Sequence, residues 1–278
     1  MIKIELKGLR KYFSGKPVLR NVNLVVHEGE TLVVIGRSGC GKSVMLKHII
    51  GLIKPDAGRV LVDGEDITDL GEHQLYRIRK KFGFLFQSGA LLDSLTVGEN
   101  VGLGLTELSA YSYTEINRMV SEKLSMVGMG GIENYMPADL SGGMKKRVSL
   151  ARAIAMNPEI ILYDEPTTGL DPIMADSINE LIVYLKNKLN ITSMVVTHDM
   201  TSARKVADRI AMLHNGEIIF TGTSEDLDET DNEVVRQFVE GRVEGPIKPA
   251  VKRYITERDE QESVSSLRTR KNLEGIAQ

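Results

Sequence analysis

The sequence is short of covalent and aromatic anchors: among 278 residues there is one cysteine, no tryptophan, and 5% aromatic content. One cysteine excludes an intrachain disulfide framework and is in keeping with a reducing compartment. An excess of one charge is also missing. Lys and Arg number 35 against 38 Asp and Glu, for a net charge of −3. That balance offers no bulk basic field, and no nucleic-acid partner is expected. Nowhere do about 18 apolar residues run together, so the chain is not expected to cross a bilayer alone, and any membrane role must come through a partner. The opening MIKIELKGLRKYF alternates like a strand and lacks the apolar core of a secretory signal. There are no internal repeats, so the chain holds one copy of whatever it encodes.

Apolar residues make up 42%, ample for a large core. Ile2, Ile4 and Leu6 alternate with polar residues, as do Val22 and Leu24, and RVLVDGEDI (59–67) carries an Asp-Gly turn signal. These read as half-buried antiparallel strands. TLVVIG (31–36), EIILYD (159–164) and SMVVTH (193–198) are instead almost continuously apolar, as parallel strands covered on both faces must be. Each is flanked by a helical pattern, including the stripe Ile178, Leu181, Ile182, Leu185 and Leu189. The alternation predicts an α/β fold with a parallel sheet. From residue 88 to 158 the strand signal fades into two amphipathic helical patterns, one through Ile116, Met119, Val120, Lys123, Leu124 and Val127, the other through Val148, Ala151, Ile154 and Ala155. We therefore expect a core of 1–87 and 159–225 with a helical subdomain of 88–158, the whole ending near 245. Residues 246–278 are polar and weakly periodic, and read as an extension that is disordered or ordered only against a partner.

Three strand ends carry chemistry. GRSGCGKS, comprising Gly36, Arg37, Ser38, Gly39, Cys40, Gly41, Lys42 and Ser43, follows an apolar strand and opens a helix, which is the context of a P-loop. Its glycines let the backbone wrap phosphates, Lys42 supplies a point charge, and the Ser43 hydroxyl suits Mg²⁺. Cys40 reads as a small residue tolerated in the loop. Asp164 and Glu165 close the second strand: Asp164 suits Mg²⁺, and Glu165 suits a general base for an attacking water. The bland alternative is a helix-capping pair ahead of Pro166. His198 ends the third strand beside the expected triphosphate. Gln87, where the core gives way to the helical insert, is placed to touch the metal or the water and to sense movement. A second glycine-led helix start, LSGGMKKR (140–147), is the puzzle. It reads either as another anion-seeking terminus formed by Ser141, Gly142 and Gly143, or as a capped turn with Lys145, Lys146 and Arg147 on a solvated face.

P-loop, Gln87, LSGGM, ILYDE, GLD and His198 occur in that order, and over residues 1–225 the chain resembles the nucleotide-binding subunits of ABC transporters. Met144 stands where the family's signature usually has glutamine. The resemblance implies a RecA-like P-loop NTPase core with an N-terminal antiparallel β subdomain and an inserted α-helical subdomain. It implies ATP and Mg²⁺ as cofactors, with Ser43, Gln87 and Asp164 at the metal and Lys42, Gln87, Glu165 and His198 in catalysis. By the same resemblance an aromatic near residue 13 would stack on adenine, and spacing to KPVL favours Phe13 over Tyr12. It also implies a head-to-tail dimer in which Ser141 and Gly143 of one copy meet the nucleotide held by the other, with Asp171 at the seam. FQSGALLDSLTVGENV, MPADLSGGM and VVRQFVEGRVEGPI resemble the ATPases of Mla/MCE-type phospholipid transport systems. That resemblance implies a multispanning permease, an MCE-domain protein, a STAS-domain protein, and a place on the cytoplasmic face of the inner membrane. An importer ATPase for small polar solutes is the alternative, followed by a soluble ATPase acting on ribosomes or DNA. The ribosomal members carry two cassettes and the DNA-repair members long coiled coils, and this chain shows neither.

Overall fold

A computed structural model describes residues 1–108 and 110–248. The first two strands, β1 (Ile2–Phe13) and β2 (Lys16–His27), form a hairpin closed by Ser14 and Gly15 at φ 48° and 76°, the mirror-image turn that matches strand twist. β1 buries Ile4 and Leu6 and then Leu9, one residue out of phase; a register shift over this stretch, with Gly8 at φ 59°, keeps Leu9 turned inward. β3 (Thr31–Ile35) leads into α1 (Lys42–Ile49). β4 (Ala57–Val62) and β5 (Glu65–Asp66) return through Asp63 and Gly64, both at positive φ, as the Asp-Gly signal predicts. The first sheet thus runs β2-β1-β4-β5, antiparallel throughout.

After α2 (Glu72–Arg79) and β6 (Phe82–Leu85) the chain becomes helical, in α3 (Val97–Leu108), α4 (Tyr113–Met126) and α5 (Gly142–Ile154). It then alternates β7 (Ile160–Asp164), α6 (Pro172–Leu189), β8 (Thr192–Thr197), α7 (Met200–Val206) and β9 (Arg209–His214). It finishes with β10 (Glu217–Gly222), α8 (Ser224–Glu229) and α9 (Glu233–Glu240). The second sheet has the order β10-β9-β3-β8-β7-β6, parallel except for β10. The α/β class expected from the sequence is the one observed.

Every residue of β3, β7 and β8 is buried, because both faces of the sheet are covered. Val33, Ile35, Ile161, Tyr163, Val195 and Met212 point into a core shared with α3 to α7. Their neighbours Leu32, Val34, Ile160, Leu162, Met194 and Val196 point to the other face, against α1 and the antiparallel sheet. The sheet is therefore a rigid wall whose strands β3, β6, β7 and β8 all end on one edge. Among the described residues no helix is long and apolar enough to cross a membrane. Of the C-terminal extension, residues 249–278 lie outside the described residues.

Candidate functional site

That shared edge gathers the chemistry. β3 runs out at Gly36, where φ is 156° and a Cβ would sit 2.4 Å from the Leu213 carbonyl, so the loop can start there only on glycine. At its other end Gly41, at φ 107°, is the N-cap of α1 and gives it no side-chain cap, which leaves the first-turn amides open. Lys42 is only 5% exposed; its Nζ donates to the carbonyls of Gly36 (2.8 Å) and Arg37 (3.2 Å) and lies 3.4 Å from Glu165 Oε1. Around it is a cavity of about 350 Å³ bounded by the loop, Val18, Ser43, Gln87, Glu165 and His198.

Ser43 Oγ donates to Asp164 Oδ1 at 2.8 Å. Burial pushes the Asp164 carboxyl up, and the charge of Glu165 adds to this against the Ser43 hydrogen bond. Glu165 behaves oppositely. Burial raises its carboxyl too, but the His198 hydrogen bond and the charge of Lys42 outweigh it and hold the group below 4.5. Glu165 Oε2 lies 2.9 Å from His198 Nδ1 and accepts from Thr168 Oγ1 at 3.0 Å and Thr197 Oγ1 at 3.4 Å. Its backbone is left-handed, φ 50°, with the amide donating to the Val196 carbonyl at 2.9 Å. A carboxylate held on four sides from a strained backbone is one whose direction matters.

The signature stretch is elsewhere. Ser141 caps α5 by accepting from the Met144 amide at 3.3 Å, and Ser141 and Gly142 are exposed. Gly143 is buried against α6, where a Cβ would meet Met174 Cε at 2.3 Å. None of the three lines the cavity around Lys42. Asp171 caps α6, its Oδ1 accepting from the amides of Ile173 and Met174 at 3.0 Å. Tyr12 and Phe13 are each 44% exposed at the end of β1, so the structure does not choose between them. Arg37 and Ser38 sit on the loop, and Arg37 Nη1 donates to the Lys248 carbonyl at 3.3 Å. Cys40 is half-buried; burial pushes its thiol up, partly offset by Lys42.

Two bland alternatives fail. Asp164 and Glu165 do not cap a helix, because α6 starts only at Pro172 with Asp171 as its cap. Nor is the run after the signature a solvated face. Lys146 is 6% exposed and donates to the Gln87 carbonyl, and to the Glu165 carbonyl at 3.4 Å. Burial pushes this ammonium down while Asp164 and Glu165 pull against it. Arg147 reaches the Val127 carbonyl and Ser177 Oγ, both at 2.6 Å. Sequence reasoning also missed Thr168 and Thr197, whose hydroxyls steady Glu165. A hydroxyl three residues beyond an acid in a turn was the available signal for Thr168.

Known proteins resemble this chain over most of its length. Residues 19–168 match the family model for ABC transporters. The probable ribonucleotide transport ATP-binding protein mkl of Mycobacterium leprae is 43% identical over 246 residues, covering 88% of this chain and 71% of its own. The intermembrane phospholipid transport system ATP-binding protein MlaF of Haemophilus influenzae is 40% identical, covering 88% of this chain and 93% of its own. Among solved structures, an ATP-binding cassette in a dimeric post-hydrolysis state bound to ADP and Pi superposes with a TM-score of 0.73 at 39% identity, covering 79% of this chain and 98% of that one. With the loop, the acids and the signature helix placed as described, the chain belongs to the ABC transporter family, as an ATP-binding, ATP-hydrolysing subunit.

Proposed function

We propose that this subunit hydrolyses Mg²⁺-ATP in a site shared by two copies of the chain, and that it powers phospholipid transport through a permease. The observation that carries the shared site is a separation. One glycine-led helix start lies inside a cavity with Lys42 and Glu165, while the other, at Ser141 and Gly142, is exposed and lines no part of that cavity. A second copy turned head to tail supplies what each lacks, with Ser141 and Gly143 facing the partner's nucleotide and Asp171 at the seam.

The residues around Asp164 fit a hard divalent cation. The Ser43 hydroxyl and Asp164 carboxylate already meet, Gln87 lines the same cavity, and all three side chains offer oxygen. Burial resists ionisation of Asp164, a cost that a cation relieves. Among the described residues there is no cage of three or more His, Cys, Asp or Glu side chains. These three ligands would then share Mg²⁺ with the nucleotide's own phosphates. When bound, the metal supplies charge neutralisation at the phosphates. Glu165, ionised at neutral pH, takes the proton of the attacking water. His198 and Thr168 keep its carboxylate aimed. Lys42 and the open amides of α1 receive phosphate oxygens, and Phe13 or Tyr12 stacks on the base. ATP favours the closed pair because only that state touches it from both sides, and closure carries the helical subdomain and Gln87 with it.

For cargo, the phospholipid reading is supported by the MlaF relative, which this chain matches over 93% of its length. It brings in a multispanning permease with STAS- and MCE-domain proteins, and a peripheral position on the cytoplasmic face of the inner membrane. The name of the mycobacterial relative favours a polar solute instead. Affinity capture of the tagged chain from detergent-solubilised membranes separates the two. Recovery of MCE- or STAS-domain proteins with a permease is the expected outcome, and a periplasmic solute-binding protein in their place would overturn the lipid assignment.

A further inference from the structure

One face of α5 is a ladder of donors. Lys146, Ser149 and Arg152 recur at helical spacing, and each reaches a main-chain carbonyl of the loop that follows β6. Lys146 Nζ takes Gln87. Ser149 Oγ lies 3.1 Å from the Gly89 carbonyl, sharing its proton with the Lys145 carbonyl at 2.8 Å. Arg152 donates to Gly89 and Ala90 at 2.6 Å each. Gly89 and Ala90 are successive left-handed residues, φ 77° and 48°, and a Cβ on Gly89 would lie 2.7 Å from Ser149 Oγ. The loop 87–90 is moulded onto the helix by these contacts.

Lys146 alone on this ladder also reaches out of the helical subdomain, to the carbonyl of Glu165. Both of its partners are carbonyls, so this buried ammonium is held by hydrogen bonds to main chain. An apolar side chain of the same size would pack as well and would satisfy neither carbonyl. We propose that Lys146 is a positioning residue for hydrolysis: it ties the main chain of Gln87 and of Glu165 to the signature helix, so that a shift of that helix is delivered to the general base. The proposal rests on the shared-site reading, in which the exposed start of α5, about one and a half turns from Lys146, meets the partner's nucleotide. Glu165 is well suited to respond. Its backbone is already left-handed, and a small main-chain shift swings a carboxylate that must point at a water. Neither atom touched by Lys146 belongs to the phosphate loop, so its loss is expected to act on turnover more than on ATP affinity.

The test uses the full-length chain with its permease partners. Lys146→Met is expected to lower kcat about tenfold or more, the scale of a sub-ångström misplacement, with KM for ATP changed less than about twofold. ATP-driven dimerisation in the Glu165→Gln background is expected to persist, and Lys146→Arg, which keeps the donors, restores most of kcat. Lys146→Gln, which keeps two amide N–H donors on a shorter side chain, falls between and serves if the Met variant does not fold. A kcat for Lys146→Met within about twofold of the parent overturns the proposal, as does a kcat loss matched by equal losses of ATP affinity and melting temperature. Turnover by Glu165→Gln at the parental rate removes the general base and this proposal with it, whereas turnover indifferent to Ser141→Ala overturns the shared-site reading. Normal Glu165→Gln behaviour beside an unaffected Lys146→Met overturns the proposal alone.

Discussion

Two of the helices that start on glycine, α1 and α5, are built for different situations. α1 begins at Gly41 with no side-chain cap, deep in a cavity with a buried lysine folded across the loop. α5 begins at Ser141, which satisfies one amide of its own helix, and Ser141 and Gly142 are exposed among the described residues. The first start leaves its orphan amides for a ligand and surrounds them. The second is partly satisfied and projects. In the proposed shared site the first would receive the nucleotide and the second would close over the one held by a partner copy.

The largest effect is expected at Glu165, the proposed base. Glu165→Gln is expected to cut turnover by about 10²–10⁴-fold while ATP still binds, as steady-state hydrolysis and calorimetric titration would show. Undiminished turnover would remove Glu165 from the reaction. Next come the two starts themselves. Lys42→Ala should weaken ATP binding by a single chain about a hundredfold, whereas Ser141→Ala should leave that binding alone and lower turnover of the assembled pair about tenfold. Equal effects of both on single-chain affinity would mean that the two starts serve one site in one copy.

Backbone tolerance sharpens the same comparison. Gly36→Ala places a methyl 2.4 Å from the Leu213 carbonyl and should cost about 1–3 kcal/mol in urea unfolding. Gly142→Ala, whose nearest neighbour would be Leu170 Cδ2 at 3.8 Å, should be neutral or mildly stabilising. The smallest effect concerns pH. Asp164 has a folded pKa above its ordinary 3.8, so its stabilising contribution is present below 3.8 and is lost as pH rises through the folded value. Asp164→Asn should therefore melt higher than the parent at pH 7, with the gap closing as pH falls towards 3.8. A gap that widens in acid would reverse the sign of that assignment.

The residues that announced themselves in the sequence were those whose function needs contiguity. A loop that wraps phosphate must be consecutive, so Gly36 to Ser43 stands out. Strands buried on both faces must be continuously apolar, so β3, β7 and β8 were legible too. β6 was not, because Phe82 and Phe84 are only half-buried in a four-residue strand, too short to make a pattern. Thr197 and Lys146 serve Glu165 from 32 and 19 residues away, and nothing local marks such a partner. Lys146 was actively disguised: a Lys-Lys-Arg run looks solvated, and only the packing of α5 against the loop after β6 shows that its middle member is buried. Tyr12 and Phe13 are equally exposed neighbours at the end of β1, so burial does not single out which would stack on the base in the proposed site.

The lone thiol, Cys40, lies within the phosphate loop, half-buried and reluctant to ionise. A chain with a single cysteine in that position carries a native chemical reporter. Alkylation by a maleimide should be slow, and slower again once nucleotide covers the loop, with every other residue silent. Because each copy contributes one thiol, the time course also counts: a pair filled on both sides decays with one slow rate, while a pair filled on one side splits into two equal phases.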